Sequence, residues 1–274
     1  MREPLFDADK PAALLADARR NGRLIAALPE ALTPRTMAEG YRVQDRFRAI
    51  WPDRLAGWKV GATAKFAQDK FGVSEPFAGP FFAGDVRASP ATIPADRFAH
   101  LAIESEFAFR FARTLAPRLG PVPRDAIVAA IDAVLPAFEI VSPRFPDLLF
   151  GRAPVAAADC GVNGGFVFGE PCMRWHDLDL AAHKVVLDVD GVRRGEGSGA
   201  SVLGHPLIVL DWFANHLSSR GIALDAGAIV STGTTTGIVF LAPEETAVAD
   251  FGSLGRISLT FTGPRHPAYR PVQM

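Results

Sequence analysis

The chain has 274 residues, 49% hydrophobic and 22% charged, which is enough apolar material to fold around a buried core. Its net charge is −1, with Lys and Arg scattered, which argues against nucleic acid as the main partner, since phosphate binding needs a basic patch or stripe. Cys160 and Cys172, the only cysteines, make neither a disulfide framework nor a complete zinc site and fit a reducing, cytoplasmic setting.

The N-terminus, MREPLFDADK, lacks the apolar core of a signal peptide, and no apolar run approaches a membrane span. Residues 8–28 read as a helix with Leu14, Leu15, Leu24, Ile25 and Leu28 as a broken apolar stripe, stopped by Pro29. Thr33 to Trp51 reads as a second helix, capped by Thr36, with Met37, Tyr41, Val43, Phe47 and Ile50 at near-helical spacing. Both suit packing or an oligomer contact. Gly57 to Thr63 reads as a short strand in which Lys59 is the lone charge. That lysine is either a snorkelling edge residue or a buried cation with an anionic partner. Phe71 to Pro80 is rich in Gly and Pro and reads as a loop.

His100 to Phe111, HLAIESEFAFRF, alternates with period two. Leu101, Ile103, Phe107, Phe109 and Phe111 fall on one face, with Ser105 among them. Ala102, Glu104, Glu106 and Ala108 fall on the other. Two carboxylates so close repel, and burial of either alone is costly. A hard divalent cation resolves the conflict, and a solvated strand face avoids it. Pro123 to Val134 reads as a helix that Pro136 ends, followed by a strand at Ala137 to Val141. Glu139 lies inside that apolar strand and needs a partner.

Asp159 to Gly169 begins as a glycine-rich bend and continues as a strand, with Asn163 either bonded locally or touching a ligand. Val185 to Val192 reads as a hairpin around Asp190-Gly191. The glycine-rich run Arg194 to Pro206, containing Ser198, enters a helix that runs to Gly221, an arrangement that favours anions. His205, in LGHP, reads as a structural hydrogen-bonder. Ala228 to Ser231 is a strand. The hydroxyls of Thr232 to Gly237, with Thr234 and Thr235 among them, hold a carboxylate or simply make a turn. The final strand is Arg256 to Phe261, and the Pro-rich tail from Gly263 reads as loose. There is no phosphate-binding loop, no GxGxxG after a strand and no GxSxG elbow. Three strand carboxylates form an all-oxygen donor set, which suits Mg²⁺ or Mn²⁺ rather than zinc.

Five segments together resemble the 2-keto-4-pentenoate (2-hydroxypenta-2,4-dienoate) hydratases, which with the 4-oxalocrotonate decarboxylases fall in the fumarylacetoacetate hydrolase superfamily. They are WKVGATAKFAQDKFGVSEP at 58–76, AIESEFAF at 102–109, LPAFEIV at 135–141, GSGASVLGHPL at 197–207 and STGTTTG at 231–237. The resemblance implies an α+β fold over residues 1–274 as one unit. Its N-terminal helical part covers 1–55, and a mixed β-roll core covers 56–265. It implies that Glu104, Glu106 and Glu139 hold Mg²⁺ or Mn²⁺ and that Lys59 sits at the substrate. Phe77, Val162, Asn163, Ser198, Thr234 and Thr235 become the candidate substrate contacts.

Phe77 stands where the hydratase pattern carries Asp, and Val162 where it often carries Ser. Both make the pocket more apolar. Glu139, in a place where the hydrolase branch uses Asp, favours the hydratase and decarboxylase branch. The implied activity is metal-dependent addition of water to a 2-hydroxydienoate or 2-oxo-enoate, as in aromatic meta-cleavage catabolism. The alternatives are decarboxylation of a 2-oxo-enedioate and a non-catalytic partner subunit. The implied partners are a small acid substrate and further copies of the chain, without nucleic acid or membrane. Light scattering at micromolar protein is expected to show at least a dimer; a monomer alone contradicts it.

Overall fold

The computed structural model describes residues 6–267. Most of the tail read as loose lies outside them. The first helix, α1, is Asp9–Arg20, shorter than the stripe suggested. It stops because Gly22 turns left-handed at φ +58. Leu24, Ile25 and Leu28 follow in non-helical chain, pinned where Ile25 N–H donates to the Arg144 carbonyl at 2.8 Å. Helix α2, Met37–Ile50, starts at a capping box: Thr36 Oγ1 accepts from Glu39 N–H at 3.2 Å, and the Glu39 carboxylate accepts from Thr36 N–H at 3.3 Å. Both helices pack their apolar faces, among them Leu15, Val43 and Phe47, against Phe77, Phe82 and Ala102 of the sheet.

Strand β1, Leu55–Gly61, leads into α3, Lys65–Phe71. The stretch Phe71 to Pro80, read as loop, is in part strand: β2 is Phe77–Phe82 and pairs antiparallel with β1. Its Pro80 is tolerated because β2 is the sheet's edge. Short strands β3, Val86–Ala88, and β4, Ala91–Pro94, precede the long β5, Ala102–Phe111. Helix α4 is only Arg124–Ala130, and β6 runs from Ile131 to Val141 straight through Pro136. Pro136 was expected to end a helix. Its carbonyl instead accepts from Gly169 N–H at 2.9 Å, just past the end of β7, Asn163–Phe168. Regular pairing with β7 ends at Ala137 and Phe168, so no ladder bond there requires the N–H that proline lacks.

Helix α5, Ala153–Ala158, packs on α2. Strands β8, Lys184–Val189, and β9, Val192–Ser198, form the expected hairpin, with Asp190 and Gly191 both at positive φ. Helix α6, Pro206–Ser219, has Pro206 in its first turn and His205 as its cap, whose Nδ1 accepts from Leu207 N–H at 3.0 Å. Strand β10, Ile229–Thr234, runs three residues further than read, with an irregularity between Ser231 and Thr234. Strands β11, Val239–Phe240, β12, Thr246–Asp250, and β13, Arg256–Thr262, complete the chain.

The larger sheet has the order β2-β1-β10-β5-β6-β7-β3, with β11 also on β5, and the smaller has β4-β13-β12-β8-β9. The core between them joins Ile103, Phe107 and Phe109 of β5 to Val185, Leu187, Ala247 and Leu259. The expected mixed β-roll with its N-terminal helical part is the architecture found. Among the described residues no helix is long and apolar enough to cross a membrane.

Candidate functional site

The period-two pattern of β5 buries both of its faces, so the carboxylate face is not a solvated one. Its phenylalanine face meets the second sheet. Glu104 and Glu106 project from the other face, and the antiparallel register sets Glu139 of β6 directly opposite Glu104. The residue opposite Glu106 is Ala137, small enough to leave room. One carboxylate oxygen from each of the three glutamates lies within 4.8 Å of the others. Glu106 and Glu139 are 0% exposed, and Glu104 is partly exposed.

Lys59 reaches the cluster from β1. It is a buried cation, with Nζ 3.2 Å from Glu139 Oε2. Between β1 and β5 runs β10, whose irregular end serves Glu106. Gly233 N–H donates to Glu106 Oε2 at 2.9 Å, and the Ser231 hydroxyl donates to the same oxygen. Gly233 has φ +96, and a Cβ there would lie 1.9 Å from Thr63 Oγ1, so no other residue fits. Glu139 Oε1 accepts from Asn163 Nδ2 at 2.9 Å. Glu106 Oε1, although buried, has no hydrogen-bond partner among the described residues.

Three carboxylates against one ammonium leave an excess of negative charge away from bulk water. Burial, then Glu139, pushes the Glu104 carboxyl up to about 7 against the pull of Lys59. Burial, Glu139 and Glu104 together raise Glu106 well above the ordinary carboxylate range. Burial works against the Lys59 ammonium, but Glu139, Glu104 and Glu106 outweigh it and its pKa is raised. Protons or a cation must supply the missing positive charge. The residues fit a hard divalent ion: the donors are all oxygen, they converge, and Glu106 Oε1 is left unpaired.

Beside the cluster lies a cavity of about 280 Å³. Lys59, Glu104, Thr234 and Thr235 line its polar end, and Val141, Leu148, Val162, Phe77 and Ile238 its apolar wall. Phe71 of α3 meets the rings of Phe77 and Phe150 edge-on at 5.0 and 5.1 Å. Farther out, Lys70 Nζ sits over the rings of Phe66 and Phe150 at 4.5 and 4.9 Å. Lys70 has no carboxylate partner among the described residues.

The structure thus brings Lys59, Glu104, Glu106 and Glu139 together, with Phe77, Val162, Thr234 and Thr235 on the cavity lining. The two threonines differ. The Thr235 hydroxyl donates to the Ser105 carbonyl at 2.8 Å, whereas Thr234 Oγ1 has no partner among the described residues. Asn163 does not line the cavity; it lies behind Glu139. Ser198 is elsewhere, capping a short turn where its Oγ accepts from Ala200 N–H at 3.3 Å. At the end of that turn Ser201, three residues after the Ser198 cap, lines the cavity instead. Sequence reasoning also missed Thr63, Phe66 and Lys70. The spacing of Phe66 and Lys70, four apart on one helix face, was the available signal.

Residues 64–262 match the family model described as fumarylacetoacetate (FAA) hydrolase C-terminal. A 4-oxalocrotonate decarboxylase of Pseudomonas putida is 31% identical over 232 residues, 82% of this chain and 86% of that protein. A 2-hydroxyhexa-2,4-dienoate hydratase of Comamonas testosteroni is 30% identical over 257 residues, 90% of this chain and 95% of that one. Among solved structures, the 4-oxalocrotonate decarboxylase from Pseudomonas putida G7, complexed with magnesium and adipate, superposes with a TM-score of 0.85. It is 27% identical, covering 93% of this chain and 97% of that one.

Raised carboxyl pKa values favour the proton-bound form of the folded, metal-free protein. That contribution is complete below the ordinary carboxylate range and is lost as pH rises through about 7. The metal-free melting temperature should therefore fall between pH 5 and pH 8, and Mn²⁺ should restore it, binding more tightly as pH rises. Glu106→Gln should keep the fold and weaken that response. Melting curves that ignore both pH and Mn²⁺ would place the metal elsewhere.

Proposed function

The chain belongs to the fumarylacetoacetate hydrolase family, and on that premise we propose that it is a divalent-metal-dependent hydratase. Its substrate is a 2-hydroxydienoate or 2-oxo-enoate, and its product a 4-hydroxy-2-oxo acid. The observation that carries this reading is the three-carboxylate cluster with Lys59 at the end of a cavity whose wall is apolar. Mg²⁺ or Mn²⁺, held by Glu104, Glu106 and Glu139, would supply Lewis acidity toward the C1 carboxylate and C2 oxygen of the substrate.

The chain's own residues do the rest. Lys59 puts a fixed ammonium beside the oxygen on which negative charge grows, where a preorganised cation counts most in a water-poor site. Thr234, whose buried hydroxyl has no partner among the described residues, lines the cavity and would donate to the substrate's carboxyl end. Phe77 and Val162 offer the substrate chain no hydrogen bond, so they accept its hydrocarbon part and disfavour a charge beside them. This supports a monocarboxylic acid with an apolar tail. From a 2-oxo-3-enoate the net reaction places water's hydroxyl on C4 and its hydrogen on C3; from a 2-hydroxydienoate a proton is in addition taken up at C5 as the enol proton leaves O2.

One observation favours a second reading. Lys70, between two aromatic rings and without an acidic partner among the described residues, is suited to the far carboxylate of a longer diacid. A 2-oxo-enedioate would then span the cavity and lose CO₂, as the name of the decarboxylase relative suggests for that protein.

In Mn²⁺-loaded protein, Lys59→Met should leave metal affinity near the parent's and lower kcat about 10²–10³-fold, the usual cost of one lost transition-state charge partner. Unchanged kinetics return Lys59 to a structural role. A panel of 2-hydroxydienoates and 2-oxo-enedioates decides the reaction. Hydration of a monocarboxylate should dominate. CO₂ release exceeding every hydration rate, and weakened by Lys70→Met, would establish the second reading instead.

A further inference from the structure

Behind the carboxylates, away from the cavity, lies a buried polar system that the chemistry above leaves unused. The side chains of Arg144 and Asp159 are 8% and 1% exposed. Arg144 Nε donates to Asp159 Oδ1 at 2.6 Å, its backbone N–H to Oδ2 at 2.8 Å, and Nη2 to the Asp159 carbonyl at 2.9 Å. The remaining Nη1 donates to the carbonyl of Asn163 at 2.7 Å. Arg19, at the end of α1, donates to the same carbonyl at 3.0 Å and is held by Asp85 at 2.7 Å. Two buried guanidinium groups thus clamp one backbone oxygen.

The segment they clamp is strained. Cys160, Gly161 and Val162 have φ of +53, +67 and +64. Three left-handed residues in a row, one of them β-branched, persist only where the surroundings over-determine them. Here Val162 N–H donates to the Asp159 carbonyl at 2.9 Å and Ser142 N–H to the Val162 carbonyl at 3.0 Å. This path ends at Asn163, whose Nδ2 donates to Glu139 Oε1 at 2.9 Å. Glu139 Oε2 faces Lys59 at 3.2 Å. An asparagine kept for the fold alone would have both ends of its amide bonded. The Oδ1 of Asn163 is buried without a partner among the described residues, and Nδ2, besides a long 3.5 Å contact to the Gly165 carbonyl, has Glu139 Oε1 as its close acceptor.

We propose that Asn163 is a positioning residue of the carboxylate centre and that Arg144, locked to Asp159, sets it. The amide fixes Glu139 Oε1 and thereby turns Oε2 toward Lys59 and the other two glutamates. The inference rests on the metal reading of this centre. Groups that orient a metal ligand from behind typically contribute about 10–100-fold in affinity.

The test is the Mn²⁺ dissociation constant of folded, substrate-free protein, read by calorimetry or by electron paramagnetic resonance. Asn163→Ala should weaken binding by about 10–100-fold. Arg144→Lys keeps a positive charge beside Asp159 but lacks the fork to Asn163, and should weaken it in the same direction by a smaller factor. Thr36→Ala, which removes the α2 cap far from the centre, should lower the melting temperature and leave Mn²⁺ affinity unchanged. Parental affinity in either Asn163→Ala or Arg144→Lys overturns the proposal, and Arg144→Lys decides it should Asn163→Ala fail to fold. A parent chain that binds no Mn²⁺ sinks the metal reading and this inference with it.

Discussion

Three carboxylates held within a few ångströms of one another, out of water, with one lysine among them, set the terms for the rest of this molecule. Mutual repulsion and lost hydration both oppose the arrangement, and one ammonium cannot cancel them. Each glutamate is consequently tied down by something different. Glu106 is gripped by a glycine N–H and a serine hydroxyl from the end of β10. Glu139 is shared between Lys59 and Asn163. Glu104, the one partly exposed, opens on the cavity.

The sheet supplies the distances. Cross-strand neighbours in register lie about 4.5–5.5 Å apart, so Glu104 and Glu139 are close by virtue of pairing alone. Pleating carries Glu106 to the same face two residues on. Lys59 is two strands away, and only its long stem lets it bridge β10 to the cluster. Backbone freedom is used sparingly and at the contacts: Gly233 allows an N–H to meet a carboxylate, and Gly161 passes close to the Lys59 stem, where a Cβ would lie 2.9 Å from Cδ.

Chemically, the cavity is graded. Charge and hydroxyls occupy one end, aliphatic and aromatic side chains the wall, and a second lysine its outer rim. Hydratases and decarboxylases both appear among the relatives at nearly equal identity. The carboxylate end is compatible with either, since both reactions gather negative charge on the same part of a 2-oxo acid. Phe77, Val162 and Lys70 line the same cavity, and under the proposed function they are the residues that would receive the far end of the substrate.

Local pattern alone determined a good deal. Alternation in HLAIESEFAFRF put two carboxylates on one strand face, an isolated charge in GWKVG marked Lys59, and Asp190-Gly191 announced a hairpin. The capping box at Thr36 and Glu39 and the capping role of His205 were likewise short-range matters. Wherever an element was decided by its neighbours, the sequence misled. Pro136 lies inside a strand because β7 ends beside it, and Phe77 to Pro80 pair because β1 presents an edge. Ser198 proved to be a cap and Asn163 a support behind Glu139, since the direction of a side chain depends on which chain passes next to it. The sequence by itself determined which groups carry charge and which face of a strand they share, because those follow from side-chain chemistry and a period of two. Only the tertiary structure decided that Glu139 faces Glu104, that Lys59 reaches them both across β10, and that Arg144 stands behind Asn163. Those contacts join residues far apart in the chain, and register and long-range packing fix them rather than any local preference.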